Sequence, residues 1–391
     1  MTTVTYFDNA ATSWPKPSAV RAALDAYFGE GGGNPGRAGH RMSIAAAQII
    51  ENARDLLAEL LNADDSTRII LTKNATEGLN LAIYGLLEPG DHVITSHVEH
   101  NSVMRPLRHL ESEGVELTVV ANAPDGTLDP DQVRSAIKSN TRLITTLHGS
   151  NVMGTLLPIA EIAQIARDRS IPYLVDASQT AGAIPIDVDK LGVDMVAFTG
   201  HKALLGLTGT GGIYIRDGIE PRPFMRGGTG SSSDLEHQPE FLPDMYESGT
   251  INVAGFAGLA AGVGHLLETG IAAVAAHERA LVTRFIAGVE GLDAVTVHGP
   301  AEIKDRCGVL SFNIDQLHPS EVGTLLDQEY GILSRVGLHC APGTHQTIGT
   351  FPTGSVRFGF SIMNTEAEVD HAIGAVEDIV AWAANGGASD A

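Results

Sequence analysis

The sequence predicts an α/β fold: a mostly parallel sheet of seven strands covered by helices on both faces, followed by a smaller α+β unit. Three observations predict it. Short β-rich runs alternate with helical stretches from about residue 68 to 216. The runs are continuously apolar, as strands buried on both faces must be. After a Gly/Ser-rich stretch, RGGTGSSSDLEHQ (226–238), the alternation gives way to long helices and a few separate strands.

The strands of the first part are RIILT (68–72), HVITS (92–96), VELTVV (115–120), RLITTL (142–147), IPYLVD (171–176), DMVAFT (194–199) and GGIYIR (211–216). Amphipathic segments lie between several of them. LDPDQVRSAIKS carries Asp129 as helix N-cap and Pro130 in the first turn, and PIAEIAQIARDR (158–169) is another. The second part opens with helices near 253–268 and 271–290. It continues through VTVHG, GVLSFNI, a helix near 319–329 and SVRFGFS. Its last helix starts near 366 with the capping box Thr365-x-x-Glu368. These signals divide the chain into 15–255 and 256–391, with residues 1–14 associated with the second unit.

A length of 391 residues favours two domains. Hydrophobic residues make up 43% and charged residues 18%, the balance of a soluble globule. No apolar run approaches a membrane span, and MTTVTYFDNA lacks the regions of a signal peptide. Two cysteines offer no disulfide framework, which fits a cytoplasmic protein. A net charge of −22 argues against a nucleic-acid partner, because phosphate backbones need basic patches.

In open α/β sheets ligands bind beyond the carboxyl ends of the strands, so the residues there carry the chemistry. Lysine is scarce, with six against 19 arginines. Lys202, in FTGHKALLGLTGTGG, follows a strand and precedes glycines that permit close backbone approach. Lys73 is the rival, while Lys16 lies between prolines, Lys138 on an exposed helix face, and Lys190 and Lys304 in polar turns. Taken alone, Lys202 also reads as a solvated loop lysine. In YLVDASQTAG, Asp176 ends an apolar strand, where a carboxylate needs a positive partner or caps the next helix. The pyridinium nitrogen of pyridoxal phosphate is such a partner, and a lysine with an aspartate opposite that nitrogen is what this cofactor requires.

TKNATEGLN (72–80) follows a strand and opens a helix, so Ala75 and Thr76 offer N–H groups and a hydroxyl to a phosphate. SHVEHNS supplies His97 and His100, either as a face for a flat ring or as a zinc-binding pair. HGSNVMG ends another strand with Asn151, a donor for the cofactor hydroxyl or a substrate carboxylate. SRVGLHCAPGTHQ (334–346) has no regular spacing and reads as a loop around Cys340. Cys340 is open to three readings: a small buried thiol, a metal ligand with His339 and His345, or a nucleophile that His339 could favour as thiolate. Cys307, at the start of a strand, reads as a buried thiol.

The ordered set YFDNAATSWPKP, TKNATEGLN, HVEHN, SNVMG, VDASQ, TGHK, ESGTINV, RVGLHC and SVRFGFS resembles the class V aminotransferase superfamily of fold-type I pyridoxal-phosphate enzymes. The nearest branch is the cysteine desulfurases and selenocysteine lyases, and the likeness runs from residue 6 to about 370. The resemblance implies that Lys202 holds the cofactor covalently, Asp176 pairs with its ring nitrogen and Gln179 bonds its phenolic oxygen. His100 would stack on the ring and assist proton transfers. Thr76, Thr199 and His201 would hold the phosphate, and Thr250 would reach the phosphate of a neighbouring subunit in a homodimer. Arg357 would clamp the substrate carboxylate, helped by Asn151 and Arg335. Cys340 would take sulfur from cysteine as a persulfide, releasing alanine. The 17 positions between Cys340 and Arg357 resemble the short-loop type, which implies an external sulfur acceptor, such as a protein of iron–sulfur cluster assembly. Leu338 stands where short-loop members often carry a further histidine. HQTIGTFPTG (345–354) resembles a less characterised subgroup, so selenocysteine, a thioether or a kynurenine-like amino acid is the alternative substrate.

Overall fold

The computed structural model describes residues 4–35, 39–231, 234 and 236–385. Residues 1–3 and 386–391 of the second sequence-based unit, and residues 36–38, 232, 233 and 235 of the first, lie outside the described residues. The chain begins with β1 (Thr5–Tyr6), α1 (Ser18–Ala26) and α2 (Arg41–Leu61). Strands and helices then alternate as the sequence predicts: β2 (Ile69–Thr72), α3 (Ala75–Leu86), β3 (His92–Ser96), α4 (Asn101–Ser112), β4 (Glu116–Val120) and α5 (Pro130–Ala136). They continue with β5 (Thr141–Leu147), α6 (Ile159–Asp168), β6 (Tyr173–Asp176), α7 (Val188–Leu191), β7 (Met195–Thr199) and β8 (Gly211–Ile215).

These strands form one seven-stranded sheet in the order β2-β8-β7-β6-β5-β3-β4. β8 runs antiparallel to both neighbours, and the other strands share one direction. Alternation along each strand sends side chains to opposite faces. Ile69, Leu71, Ile144, Val175 and Val196 join one core, while Ile70, Val93, Leu143, Leu174 and Met195 join the other. Asp129 caps α5 as expected, its side chain accepting from the Asp131 amide at 2.9 Å.

The second part contains α8 (Val253–Thr269), α9 (Ile271–Val289), β9 (Val295–His298), β10 (Val309–Ile314) and α10 (Pro319–Tyr330). It ends with β11 (Ile332–Leu333), β12 (Arg335–Gly337), α11 (Pro342–Thr347), β13 (Ser355–Gly359) and α12 (Glu366–Ala384). β12-β13-β10-β9 form an antiparallel sheet, and β1 pairs with β11. The Thr365–Glu368 capping box is formed. Phe285, Phe312 and Phe358 centre a separate core, joined by Phe7 from the N-terminal segment. α8, which the sequence-based division gives to the second unit, packs Phe256, Leu259, Val263 and Leu266 into the first core. Among the described residues no single helix is long and apolar enough to cross a membrane.

Candidate active site

Five strands of common direction end at one cavity of about 230 Å³. Ala75 and Thr76 line it from the start of α3, His100 from the start of α4, and Asn151 from the turn after β5. Asp176 and Gln179 come from the end of β6 and beyond, and Thr199, His201 and Lys202 from the end of β7. Every cofactor-binding residue expected from the sequence, apart from Thr250, therefore meets here. Ser102 and Ser178, which the sequence reading passed over, line it too.

The phosphate end is built on backbone. Asn74 caps α3 by accepting from the Glu77 amide at 3.0 Å, and the first amides of a helix lack partners within it. Gly211 of β8 must be glycine for this turn to close, since a Cβ there would lie 2.7 Å from the Asn74 backbone. Thr76 Oγ1 is 2.8 Å from Ser102 Oγ. Thr199 Oγ1 and His201 Nδ1 are buried without partners, and such groups need an acceptor or donor from something bound. Burial, then the nearby charge of Lys202, pushes His201 down to about 4, so its ring is neutral.

His100 caps α4, its Nδ1 accepting from the Ser102 amide at 3.0 Å. Burial, then the Lys202 ammonium, takes it down to about 4. A neutral imidazole is the form that can lie against a ring and pass a proton. His97 turns elsewhere, its Nδ1 lying 2.9 Å from Thr347 Oγ1, so the two histidines do not converge. Asp176 is 5% exposed, and its Oδ1 accepts from Ser178 N at 2.9 Å and Ser178 Oγ at 2.5 Å. Burial lowers Lys202 to about 8; Asp176 opposes this shift, while Arg357 and Arg335 reinforce it. The residues thus fit a phosphorylated pyridine aldehyde: donors for the phosphate, a carboxylate for a cationic nitrogen, and an amine close to its neutral form. When bound, that cofactor supplies an electron sink for charge developing at the substrate Cα.

The second part of the chain closes the site. Arg335 and Arg357 sit opposite each other in the β12–β13 register. Arg357 is 2% exposed, and its buried Nε has no partner. Cys340 occupies the turn between β12 and α11 and is exposed. Its sulfur stands within electrostatic reach of both Lys202 and Arg357. The loop is held by its backbone: Asn101 N donates to Cys340 O at 2.8 Å, and Asn151 Nδ2 to His339 O at 2.7 Å.

The ring of His339, expected beside the thiolate, is engaged with Ser355 and His345. The side chain is buried, Nε2 lies 3.3 Å from Ser355 Oγ, and the ring faces His345 at 5.4 Å between centroids. Burial and the charge of Arg357 push it far below the usual imidazole range, so it carries no positive charge to offer. Cys307 is 1% exposed, and burial pushes its thiol up to about 12. Among the described residues no group of three or more His, Cys, Asp or Glu side chains could hold a metal ion.

Thr250 lies outside the main cavity. It is exposed and lines a separate one with Lys73, Glu77 and Ser248. Its segment is anchored by Glu247, which accepts from the buried Arg54 at 2.7 Å and from Leu71 N at 2.7 Å. Lys73 pairs with Glu77 at 3.5 Å and is largely exposed, so it is not a rival to Lys202. Lys16 is less bland than its sequence suggests, since its Nζ donates to His201 O at 3.1 Å behind the Lys202 loop.

The comparisons with known proteins agree with this geometry. Residues 5–371 match the family model of the class-V aminotransferases. A probable cysteine desulfurase from Methanothermobacter thermautotrophicus is 35% identical, over 93% of this chain and 92% of that protein. The structure of a cysteine desulfurase from Thermococcus onnurineus superimposes with a TM-score of 0.90 at 34% identity, covering 97% of this chain and 95% of that one. For the cysteine desulfurase CsdA of Escherichia coli the TM-score is 0.86 at 29% identity, with the same coverage. The chain belongs to the class-V aminotransferase family, whose enzymes depend on pyridoxal 5′-phosphate.

Proposed function

We propose that this enzyme is a cysteine desulfurase that converts L-cysteine to L-alanine and keeps the sulfur as a persulfide on Cys340. The observation that carries the reading is the convergence of three groups: an exposed thiol within electrostatic reach of a half-buried lysine and a buried arginine. Lysine for proton transfer and arginine for a carboxylate suit many amino-acid enzymes, but a sulfur nucleophile beside both suits few. The relatives described as cysteine desulfurases support it.

In this reading Lys202 binds the cofactor, with Asp176 at the ring nitrogen, Gln179 at the phenolic oxygen and His100 against the ring. Ala75, Thr76, Thr199 and His201 hold the phosphate. Arg357 takes the substrate carboxylate, with Arg335 and Asn151 beside it. Lys202 Nζ then moves the proton from the substrate Cα. Cys340 Sγ attacks the substrate sulfur; an S–S bond forms as the C–S bond breaks with its electron pair left on the carbon skeleton, which takes up one proton at Cβ and regains one at Cα to leave as alanine. The persulfide passes to an external acceptor, such as a protein that feeds iron–sulfur cluster assembly. Thr250, exposed and outside the main cavity, serves a second subunit of a homodimer.

The test is Cys340→Ala in the loaded enzyme, with reductant present. Alanine release from cysteine should fall to background while the absorbance of the bound cofactor stays parental. Parental release of alanine by the variant would sink the persulfide step. A panel of cysteine, selenocysteine, cysteine sulfinate, kynurenine and thioether amino acids identifies the substrate.

A further inference from the structure

Residues 8–16 contact both halves of the site. Asp8 forms a bridge to Gly359, and its Oδ1 accepts from Arg357 Nη2 at 2.7 Å. Arg357 Nη1 donates to Asn151 O at 3.0 Å, while Nε is buried with no partner. A few residues on, the same segment grips the lysine loop. Ala10 O accepts from Gln179 Nε2 at 3.0 Å, Ser13 N donates to His201 O at 2.9 Å, and Ser13 Oγ donates to Lys202 O at 2.8 Å.

A guanidinium has five N–H donors in a fixed fork. Buried without a counter-charge it would be costly, and it would rotate to find one. A single carboxylate on one arm neutralises it and fixes its plane, leaving Nε–H and the second N–H of each arm for another carboxylate. Asp8 can be that anchor only if it stays in place when substrate arrives. Its neighbours see to this: Gly359 N donates to Phe7 O at 2.6 Å, and Asn9 Nδ2 donates to Gly359 O at 2.9 Å.

We propose that Asp8 is a positioning residue for substrate recognition, holding the Arg357 guanidinium by Nη2 so that its remaining N–H groups face the substrate carboxylate. The proposal rests on the reading of Arg357 as the carboxylate clamp. A competing role, in which Asp8 occupies the clamp and must be displaced, makes the opposite prediction, because removing its charge would then tighten binding.

The test uses loaded enzyme carrying Asp8→Asn, titrated with L-alanine and with ethylamine, which is the same amine without a carboxylate. Binding is read from the absorbance of the cofactor. Alanine should bind about tenfold more weakly or worse, the scale of a lost charge-assisted contact, with ethylamine unaffected. KM for cysteine should rise in parallel while kcat moves less than about twofold. Asp8→Glu, which keeps the charge, should recover part of the loss. In an Arg357→Gln background, Asp8→Asn should add nothing. Unchanged or tighter alanine binding in Asp8→Asn overturns the proposal, as does an equal loss for ethylamine. Failure of the clamp reading shows separately: the parental enzyme would bind alanine no better than ethylamine, and both ideas would fall.

Discussion

Asn151 Nδ2 lies 2.7 Å from the main-chain oxygen of His339, so the turn after β5 holds the residue that precedes Cys340. His339 and Cys340 have φ of 49° and 60°, the left-handed region that side-chain-bearing residues avoid at a cost of about 1–3 kcal/mol each. Such a pair persists only where its surroundings hold it, and the Asn151 contact and the Asn101–Cys340 bond do so here. Asn151→Ala should therefore loosen the loop. Amide exchange at residues 338–341 should quicken by about tenfold or more, the scale of one lost hydrogen bond to a constrained loop, and cysteine turnover should fall with it. Exchange as slow as in the parent would mean that the loop is held without Asn151.

The two thiols should differ sharply in reactivity. Cys340 is exposed, whereas Cys307 is 1% exposed with its thiol pushed up to about 12 by burial, then by Glu278. At pH 8, iodoacetamide should label one thiol per folded chain. Cys340→Ala should abolish labelling and Cys307→Ala should leave it intact. Since the His339 ring is buried and neutral, His339→Asn should leave the pH midpoint of Cys340 labelling where it was. A midpoint raised by a full unit would restore His339 as the thiolate's partner.

The cavity was legible in the sequence because its chemistry hangs on strand ends. Once RIILT, HVITS, RLITTL, IPYLVD and DMVAFT are read as parallel strands, Thr76, His100, Asn151, Asp176 and Lys202 must share one edge of the sheet. What was not legible depends on how the two cores dock. Asp8 meets Arg357 across 349 positions, and Lys16 meets His201 across 185. No local pattern encodes either contact. The direction of the His339 ring was hidden for the same reason, since Ser355 and His345 claim it only after β13 is in place. α8 illustrates the limit of periodicity: FAGLAAGVGHLL is apolar almost all round, so its sequence suits either core, and packing assigns it to the first.

Capture of the cofactor should depend on pH through Lys202. Its ammonium is brought down to about 8, chiefly by burial, with Asp176 opposing and the two arginines reinforcing. Only the neutral amine attacks an aldehyde, so covalent attachment of pyridoxal phosphate to the apoprotein should quicken about tenfold per pH unit below 8 and level off above it. Arg335→Gln removes one of the repelling charges and should move that midpoint upward. Stopped-flow absorbance follows both. A rate still climbing at pH 10 would show a lysine with an ordinary amine.

Glu278 should make stability fall as pH rises. It stands on α9 beside a small cavity of about 20 Å³, shared with Asn9, Gln179, Lys202 and Ser361, and is 5% exposed. Burial pushes its carboxyl from 4.5 up to about 8. The unfolded chain gives up this proton near 4.5 and the folded chain near 8. Between those values the unfolded state holds fewer protons, and stability declines with rising pH. Each unit of separation is worth up to about 1.4 kcal/mol. Glu278→Gln cannot ionise, so its melting temperature should gain on the parent's by about 2 °C or more between pH 5 and pH 8. Glu99, another carboxyl raised to about 8 by burial, titrates alike in both proteins and cancels from the difference. A gap that stays constant with pH in calorimetry would mean that Glu278 is already ionised in the folded protein, paired with a cation in that cavity.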